Sequence, residues 1–296
     1  MPDSSSTYIG RFAPSPTGEL HQGSLLTAVA SYLDARQQQG LWLVRMEDLD
    51  PPREQKGAAD SILRSLQAHG LLWDGEVMFQ SQRHDAYAAH LQQLFERDAC
   101  FICDCTRQRL KSLPAYDGHC RRHPPTSKPV ATRVAVPDGT LVEFDDLFQN
   151  RQSQQLDTEV GDFVIHRKDG LYAYQLAVVV DDIEQNISHI IRGVDLLDST
   201  ARQVFLFQQF NAKPPVFGHL PVVVNADGQK LSKQTFAEPL NNDRAADNLW
   251  RAFNQLNLAP PAGLREESCE QMLSWGVEHW DRSKIAATQS IPESTA

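Results

Sequence analysis

The chain has 296 residues, 41% of them hydrophobic, enough to bury roughly three quarters of its unfolded surface in one large domain or two smaller ones. Lys and Arg number 28 against 38 Asp and Glu, a formal charge of −10, so the whole molecule repels a polyanion and any nucleic-acid contact must use local basic patches. No run approaches the ~18 apolar residues of a membrane helix, and the opening MPDSSSTYIG lacks the basic-then-apolar plan of a secretion signal, so the expectation is a cytoplasmic protein with no membrane partner.

The first predicted strand covers residues 8–13. It runs into the loop FAPSPTGELHQGS, from Phe12 to Ser24, after which Leu25, Leu26, Val29, Ala30 and Leu33 recur at helical spacing up to Gly40. Residues 41–46 then read as a buried strand, completing a βαβ unit. Such units bind ligands beyond the carboxyl ends of their strands, where the first loop meets a helix N-terminus. Free N–H groups and a partial positive charge suit that place to phosphate. The spacing of Gly18 and Gly23 imitates a P-loop opening, but Ser24 stands where that motif requires lysine, which argues against a Walker-type NTPase.

Helices are predicted over residues 55–69 and 83–97, and then the composition changes. Residues 100–128 are rich in Cys, His, Pro and basic side chains, as expected of a small inserted module needing a staple. Four of the five cysteines, Cys100, Cys103, Cys105 and Cys120, fall here, and in a reducing compartment such clustering points to metal more than to disulfides. Cys103, Cys105 and Cys120 with Tyr116 offer a tetrahedral set suited to Zn²⁺; free thiols, or a mixed set drawing on Cys100, His119 or His123, are the alternatives. Arg107, Arg109, Lys111, Arg121, Arg122 and Lys128 face one acid, Asp117, and read either as an RNA-contact patch or as a solvated loop.

Residues 130–144 alternate around Pro137-Asp138-Gly139, predicting a hairpin, and residues 163–176 predict another around Lys168-Asp169-Gly170. Ala177-Val178-Val179-Val180 reads as a core strand ending in Asp181 and Asp182. A helix over 199–210, a strand over 220–224, a polar loop from Asn225 to Lys233 and short helices over 243–280 follow, with a disordered tail expected from Ser283.

The run from Arg11 to His21, RFAPSPTGELH, resembles the glutamyl branch of the class I aminoacyl-tRNA synthetases, with His21-Gln22-Gly23-Ser24 standing where that class carries its HIGH signature. Lys230-Leu231-Ser232-Lys233 resembles the KMSKS loop of the same class, and the segments Tyr174 to Asp182 and Ile191 to Leu197 are similar to glutamyl-tRNA synthetase segments, so the resemblance covers roughly residues 8–236. Singly, His21 could simply cap its helix and the lysines could be solvated surface. The resemblance implies an α/β fold: a Rossmann-like parallel sheet split between residues 1–99 and 161–237, a zinc and β-hairpin module over 100–160, a short helical region over 238–282 and a disordered tail over 283–296.

It also implies a site. Arg11, Ala13, Ser15, Glu47, Tyr174 and Arg192 would line a glutamate pocket, with Glu47 near the α-amino group and Arg192 with Arg11 near the side-chain carboxylate. Such arginines disfavour glutamine, whose amide donors would be left unpaired at about 1–3 kcal/mol. His21, Gly23, Ser24, Lys230, Ser232 and Lys233 would serve ATP, with Mg²⁺ accompanying it, and the lysines would meet the departing pyrophosphate. A shortened paralogue of the branch binds structural Zn²⁺ through three cysteines and a tyrosine, which selects Cys103, Cys105, Tyr116 and Cys120 and turns Arg107, Arg109, Arg121 and Arg122 toward RNA. Glutamyl-tRNA synthetases continue into a long helical anticodon reader, whereas 63 residues follow Lys233 here, so the expectation is that this reader is absent. The expectation is therefore a monomer that activates L-glutamate and passes it to queuosine in the anticodon stem-loop of tRNA(Asp). A truncated synthetase charging the 3′ end of tRNA(Glu), or a non-catalytic RNA-binding paralogue, are the alternatives.

Overall fold

The structure, a computed structural model, describes residues 7–126, 128–225 and 238–293; Lys230, Ser232 and Lys233 lie outside them. β1 (Ile9–Phe12), α1 (Gln22–Gln37) and β2 (Leu41–Met46) form the expected parallel βαβ unit, with Ile9 beside Leu41 and Phe12 beside Val44. Gly40 makes the return possible: a Cβ there would stand 2.4 Å from the Tyr8 carbonyl oxygen, which accepts the Leu41 N–H at 2.9 Å. Next come α2 (Ala58–Ala68), β3 (Met78–Phe79), α3 (His84–Glu96), β4 (Cys100–Cys103), the single turns α4 (Arg107–Leu110) and α5 (His119–Arg122), and β5 (Ala131–Val134). The chain continues through β6 (Leu141–Asp146), β7 (Asn150–Gln155), α6 (Leu156–Glu159), β8 (Val164–His166), α7 (Tyr174–Glu184), β9 (His189–Gly193), α8 (Leu197–Gln209), β10 (Val216–Leu220) and β11 (Val222–Val224). It closes with α9 (Ala245–Gln255), α10 (Cys269–His279) and β12 (Ser290–Pro292).

The main sheet has seven strands in the order β3-β2-β1-β9-β10-β6-β7, parallel except for β7, which runs antiparallel to β6. Its strands are apolar on both faces because both are covered. In β2, Trp42, Val44 and Met46 enter a core shared with α1, α9 and α10, while Leu43 enters a second core with α3, α7 and α8. Ile191 and Ile190 of β9 divide the same way. Each such side chain contributes about 1.5–3 kcal/mol by burial.

Four expectations are corrected. Residues 177–180 lie in helix α7, not in a strand: every side chain from Leu176 to Val180 is buried, so the run has no polar face from which a helical period could be read. Residues 130–144 do not pair as a hairpin, because β5 joins β4 and β8 in a separate antiparallel sheet while β6 crosses to the main sheet beside β10. The turn at Lys168-Asp169-Gly170 closes only through a bridge between His166 and Tyr172 before α7 begins at Tyr174. The tail expected to be disordered carries β12, parallel to β11, and Trp280 and Arg282 both donate to the buried Asp34 of α1, at 2.8 and 2.6 Å.

Candidate active site

A cavity of about 740 Å³ opens at the carboxyl ends of β1 and β9, against the N-terminus of α1. Arg11, Ala13, Ser15, Glu47, Tyr174 and Arg192 all line it, together with His21, Gly23 and Ser24. Two backbone bonds pin its proline-rich loop to the chain after β2: Glu47 N–H to the Pro14 carbonyl and Gln55 N–H to the Pro16 carbonyl, both 3.0 Å. His21 is the N-cap of α1, its Nδ1 accepting from the Ser24 N–H at 3.3 Å. The neutral tautomer that caps therefore carries its proton on Nε2, which lies 3.1 Å from Ser24 Oγ. Capping thus uses one nitrogen of the ring and leaves the proton on the other. Pro221, Val222 and Val223 also line the cavity, and Leu240 N–H donates at 2.8 Å to the carbonyl of Leu20, another lining residue. The described chain thus meets the cavity wall on both sides of the stretch that holds Lys230 and Lys233.

The charges sort into paired and unpaired. Arg11 forks onto Asp182 of α7 (3.2 and 3.4 Å), and Arg45 meets the same carboxylate at 2.8 Å and Glu47 at 3.6 Å. Burial works against the Asp182 charge, but Arg11 and Arg45 hold its carboxyl below its ordinary value. Burial pushes the Glu47 carboxyl up, with Arg45 and Arg11 opposing. Arg192 differs: it is 3% exposed, its hydrogen-bond partners are all neutral, and it makes no ion pair among the described residues. Burial draws its guanidinium down from its ordinary value. A buried cation that lines a cavity and makes no ion pair among the described residues is suited to an incoming anion. Tyr174 accepts from Arg192 Nη1 at 3.4 Å and places its ring on the same wall.

Sequence reasoning missed Arg45 and Asp182 as parts of this site. Both were legible as charges inside apolar runs, LWLVRM and LAVVVDD, where an unpaired charge is too costly to bury.

In the module, the Sγ atoms of Cys103, Cys105 and Cys120 all lie within 4.8 Å of one another. Tyr116 Oη is 3.6 Å from Cys103 Sγ and 3.8 Å from Cys105 Sγ, and Cys105 and Cys120 are 3.5 Å apart. A tetrahedron with Zn–S bonds near 2.3 Å has edges of about 3.8 Å, so these four donors fit the expected ion. Burial opposes the Cys103 thiolate, yet bonds from Tyr116 and Arg133 lower the thiol to about 7. Arg133 Nε donates to that sulfur at 3.3 Å. Cys100 belongs instead to the α3–α7 core, where burial raises its thiol to about 12. Gly161, at φ +69°, lets Tyr116 approach: a Cβ there would meet the Tyr116 backbone at 2.7 Å.

Of the candidate RNA contacts, Arg109 is bonded to Asp117 at 2.6 Å and Arg121 to Asp162, whereas Arg107 and Arg122 are exposed, Arg122 donating to the Asp117 carbonyl. No helix among the described residues is long and apolar enough to cross a membrane.

Residues 9–249 match the family of tRNA synthetases class I (E and Q), catalytic domain. Proteins named Glutamyl-Q tRNA(Asp) synthetase from Pseudomonas fluorescens and Pseudomonas aeruginosa are each 48% identical, the first over 98% of this chain and 97% of its own, the second over 97% and 98%. A crystal structure of a glutamate tRNA ligase from Elizabethkingia meningosepticum, in complex with its amino acid, superposes with a TM-score of 0.80 at 25% identity, covering 98% of this chain and 67% of that one. With its parallel sheet, its cavity and these matches in agreement, the chain belongs to the glutamyl and glutaminyl family of class I tRNA synthetases, beside the glutamyl-Q tRNA(Asp) synthetases.

Proposed function

We propose that this protein activates L-glutamate with ATP and transfers the glutamyl group to the queuosine base in the anticodon stem-loop of tRNA(Asp), in the cytoplasm. The observation that carries the reading is a buried Arg192, with no ion pair among the described residues, in the same cavity as His21 at the start of α1, which suits a carboxylate beside a phosphate. The 48% identity to proteins named for that acceptor supports tRNA(Asp) over tRNA(Glu).

Glutamate would enter with its side-chain carboxylate toward Arg192 and its ammonium toward Glu47. Its α-carboxylate attacks the α-phosphorus of ATP, forming glutamyl-AMP and releasing pyrophosphate. His21 Nε2–H and the N–H groups of the first turn of α1 are suited to the charge that builds on the α-phosphate, and Lys230 and Lys233 to the leaving pyrophosphate. Mg²⁺ bound with ATP supplies charge neutralisation on the phosphates. A hydroxyl of the modified base then attacks the mixed anhydride, giving an ester and AMP. Cys103, Cys105, Tyr116 and Cys120 would hold a structural Zn²⁺ with four protein ligands and no open position for chemistry. Arg107 and Arg122 on the same module would meet RNA phosphate.

The purified protein is expected to exchange labelled pyrophosphate into ATP with glutamate and without RNA, and then to glutamylate tRNA(Asp) carrying queuosine but not the same tRNA carrying guanosine there. Absence of exchange defeats the activation step, and charging of tRNA(Glu) instead defeats the choice of acceptor.

A further inference from the structure

Arg192 is aimed by three neighbouring strands. Along β9 and β10 it pairs in register with His219, and two residues earlier on β10 Phe217 pairs with Asp146 at the end of β6. These side chains share one face of the sheet. The Arg192 guanidinium lies 5.2 Å from the centre of the Phe217 ring, donates from Nε to His219 Nε2 at 3.0 Å, and donates from Nη2 to Thr200 Oγ1 at 2.8 Å. His219 Nδ1 lies 2.5 Å from Asp146 Oδ2, and Asp146 is further fixed by the N–H groups of Phe148, Gln149 and His219 at 2.9–3.1 Å. Arginine has only donors, so His219 Nε2 must accept; the proton of the neutral ring is then on Nδ1, where the carboxylate takes it.

The arrangement contrasts with Arg11. That residue is forked directly onto Asp182 and its charge is matched within the protein. Arg192 is held by a carboxylate one ring away, through a neutral imidazole, so it is oriented without being neutralised. We infer that His219, kept in its Nδ1–H form by Asp146, is a positioning residue for glutamate recognition: it fixes the inner edge of the Arg192 guanidinium so that the outer edge meets the substrate's side-chain carboxylate with its full charge. The inference rests on the functional reading given above. Nothing in the local sequence marks the trio, because Asp146 and His219 are 73 positions apart.

The test is glutamate-dependent pyrophosphate exchange by the full chain, together with ¹⁵N NMR of the His219 ring in the unmodified protein. The ring nitrogens should show the Nδ1–H form. His219→Leu should raise KM for glutamate by at least about tenfold while KM for ATP stays within about twofold, and His219→Gln, whose amide oxygen can accept from Arg192, should recover most of the loss. An Nε2–H ring in the unmodified protein overturns the inference without any variant. So does a His219→Leu protein with unchanged KM for glutamate, or a folded His219→Gln protein no better than His219→Leu. Unmodified protein that exchanges no pyrophosphate with glutamate removes the functional reading and this inference together, which separates the two failures.

Discussion

Asp182 joins two strands and a helix through one carboxylate, since Arg11 comes from β1 and Arg45 from β2. Removing its charge takes from the buried Arg11 the carboxylate it forks onto and leaves Arg45 with the longer contacts to Glu47 and Asp181, so Asp182→Asn should cost about 3–5 kcal/mol in chemical denaturation. The sign of the pH dependence follows from the direction of its shift. Its carboxyl is held below the ordinary value in the folded protein, so its stabilisation is complete above the unfolded pKa of about 3.9 and is lost as pH falls through the folded value. The stability gap between the unmodified and Asp182→Asn proteins should therefore be constant near neutrality and narrow only below about pH 4. A gap that narrows toward alkaline pH would contradict this assignment. At this scale the sequence disclosed side chains of local motifs that the structure brings to the cavity wall, such as His21 and Arg192. It hid those that act across strands, such as Arg45, Asp146 and His219, whose partners depend on the sheet order.

Element α7 shows how a correct motif can sit on a misread backbone. Its valines favour strands, and the mistake is intelligible because a helix buried all round has no amphipathic period; packing between α3, α8 and the sheet overrides the propensity. Tyr174 and Asp182 nevertheless reach the site, since one begins the helix and the other lies just over two turns later. The cysteine module was legible for a different reason: its chemistry depends on residue type and spacing more than on backbone class. Cys120→Ser should reduce bound zinc, measured by metal analysis, and loosen residues 100–128 in hydrogen exchange, because this segment has few apolar side chains of its own to hold it. Full zinc content in that variant would refute the ligand set.

At the scale of the whole molecule, the α/β class and the order of its first three elements were readable from hydrophobic periodicity, while the path of the C-terminal segment was not. Its ties reach distant elements: Trp280 and Arg282 bond Asp34 of α1, Gln149 donates to the Thr288 carbonyl, and β12 pairs with β11. Each is specified by geometry and none by a local pattern. Removing residues 281–293 should expose the β11 edge and leave the Asp34 carboxylate without Arg282. A lower melting temperature, with a raised KM for glutamate and ATP in pyrophosphate exchange, is the expected result, because Val222 and Val223 wall the cavity. Unchanged kinetics would show that β11 holds its place alone.

The pairing of β11 with β12 also bears on how the protein is made. A ribosome emits the segment that walls the cavity well before its partner, with α9 and α10 synthesised in between, and at ordinary elongation speeds that delay is on the order of seconds. During it the nascent chain carries the apolar VVV triplet without its strand partner, so this part of the cavity wall gains its pairing only after α9 and α10 have been made.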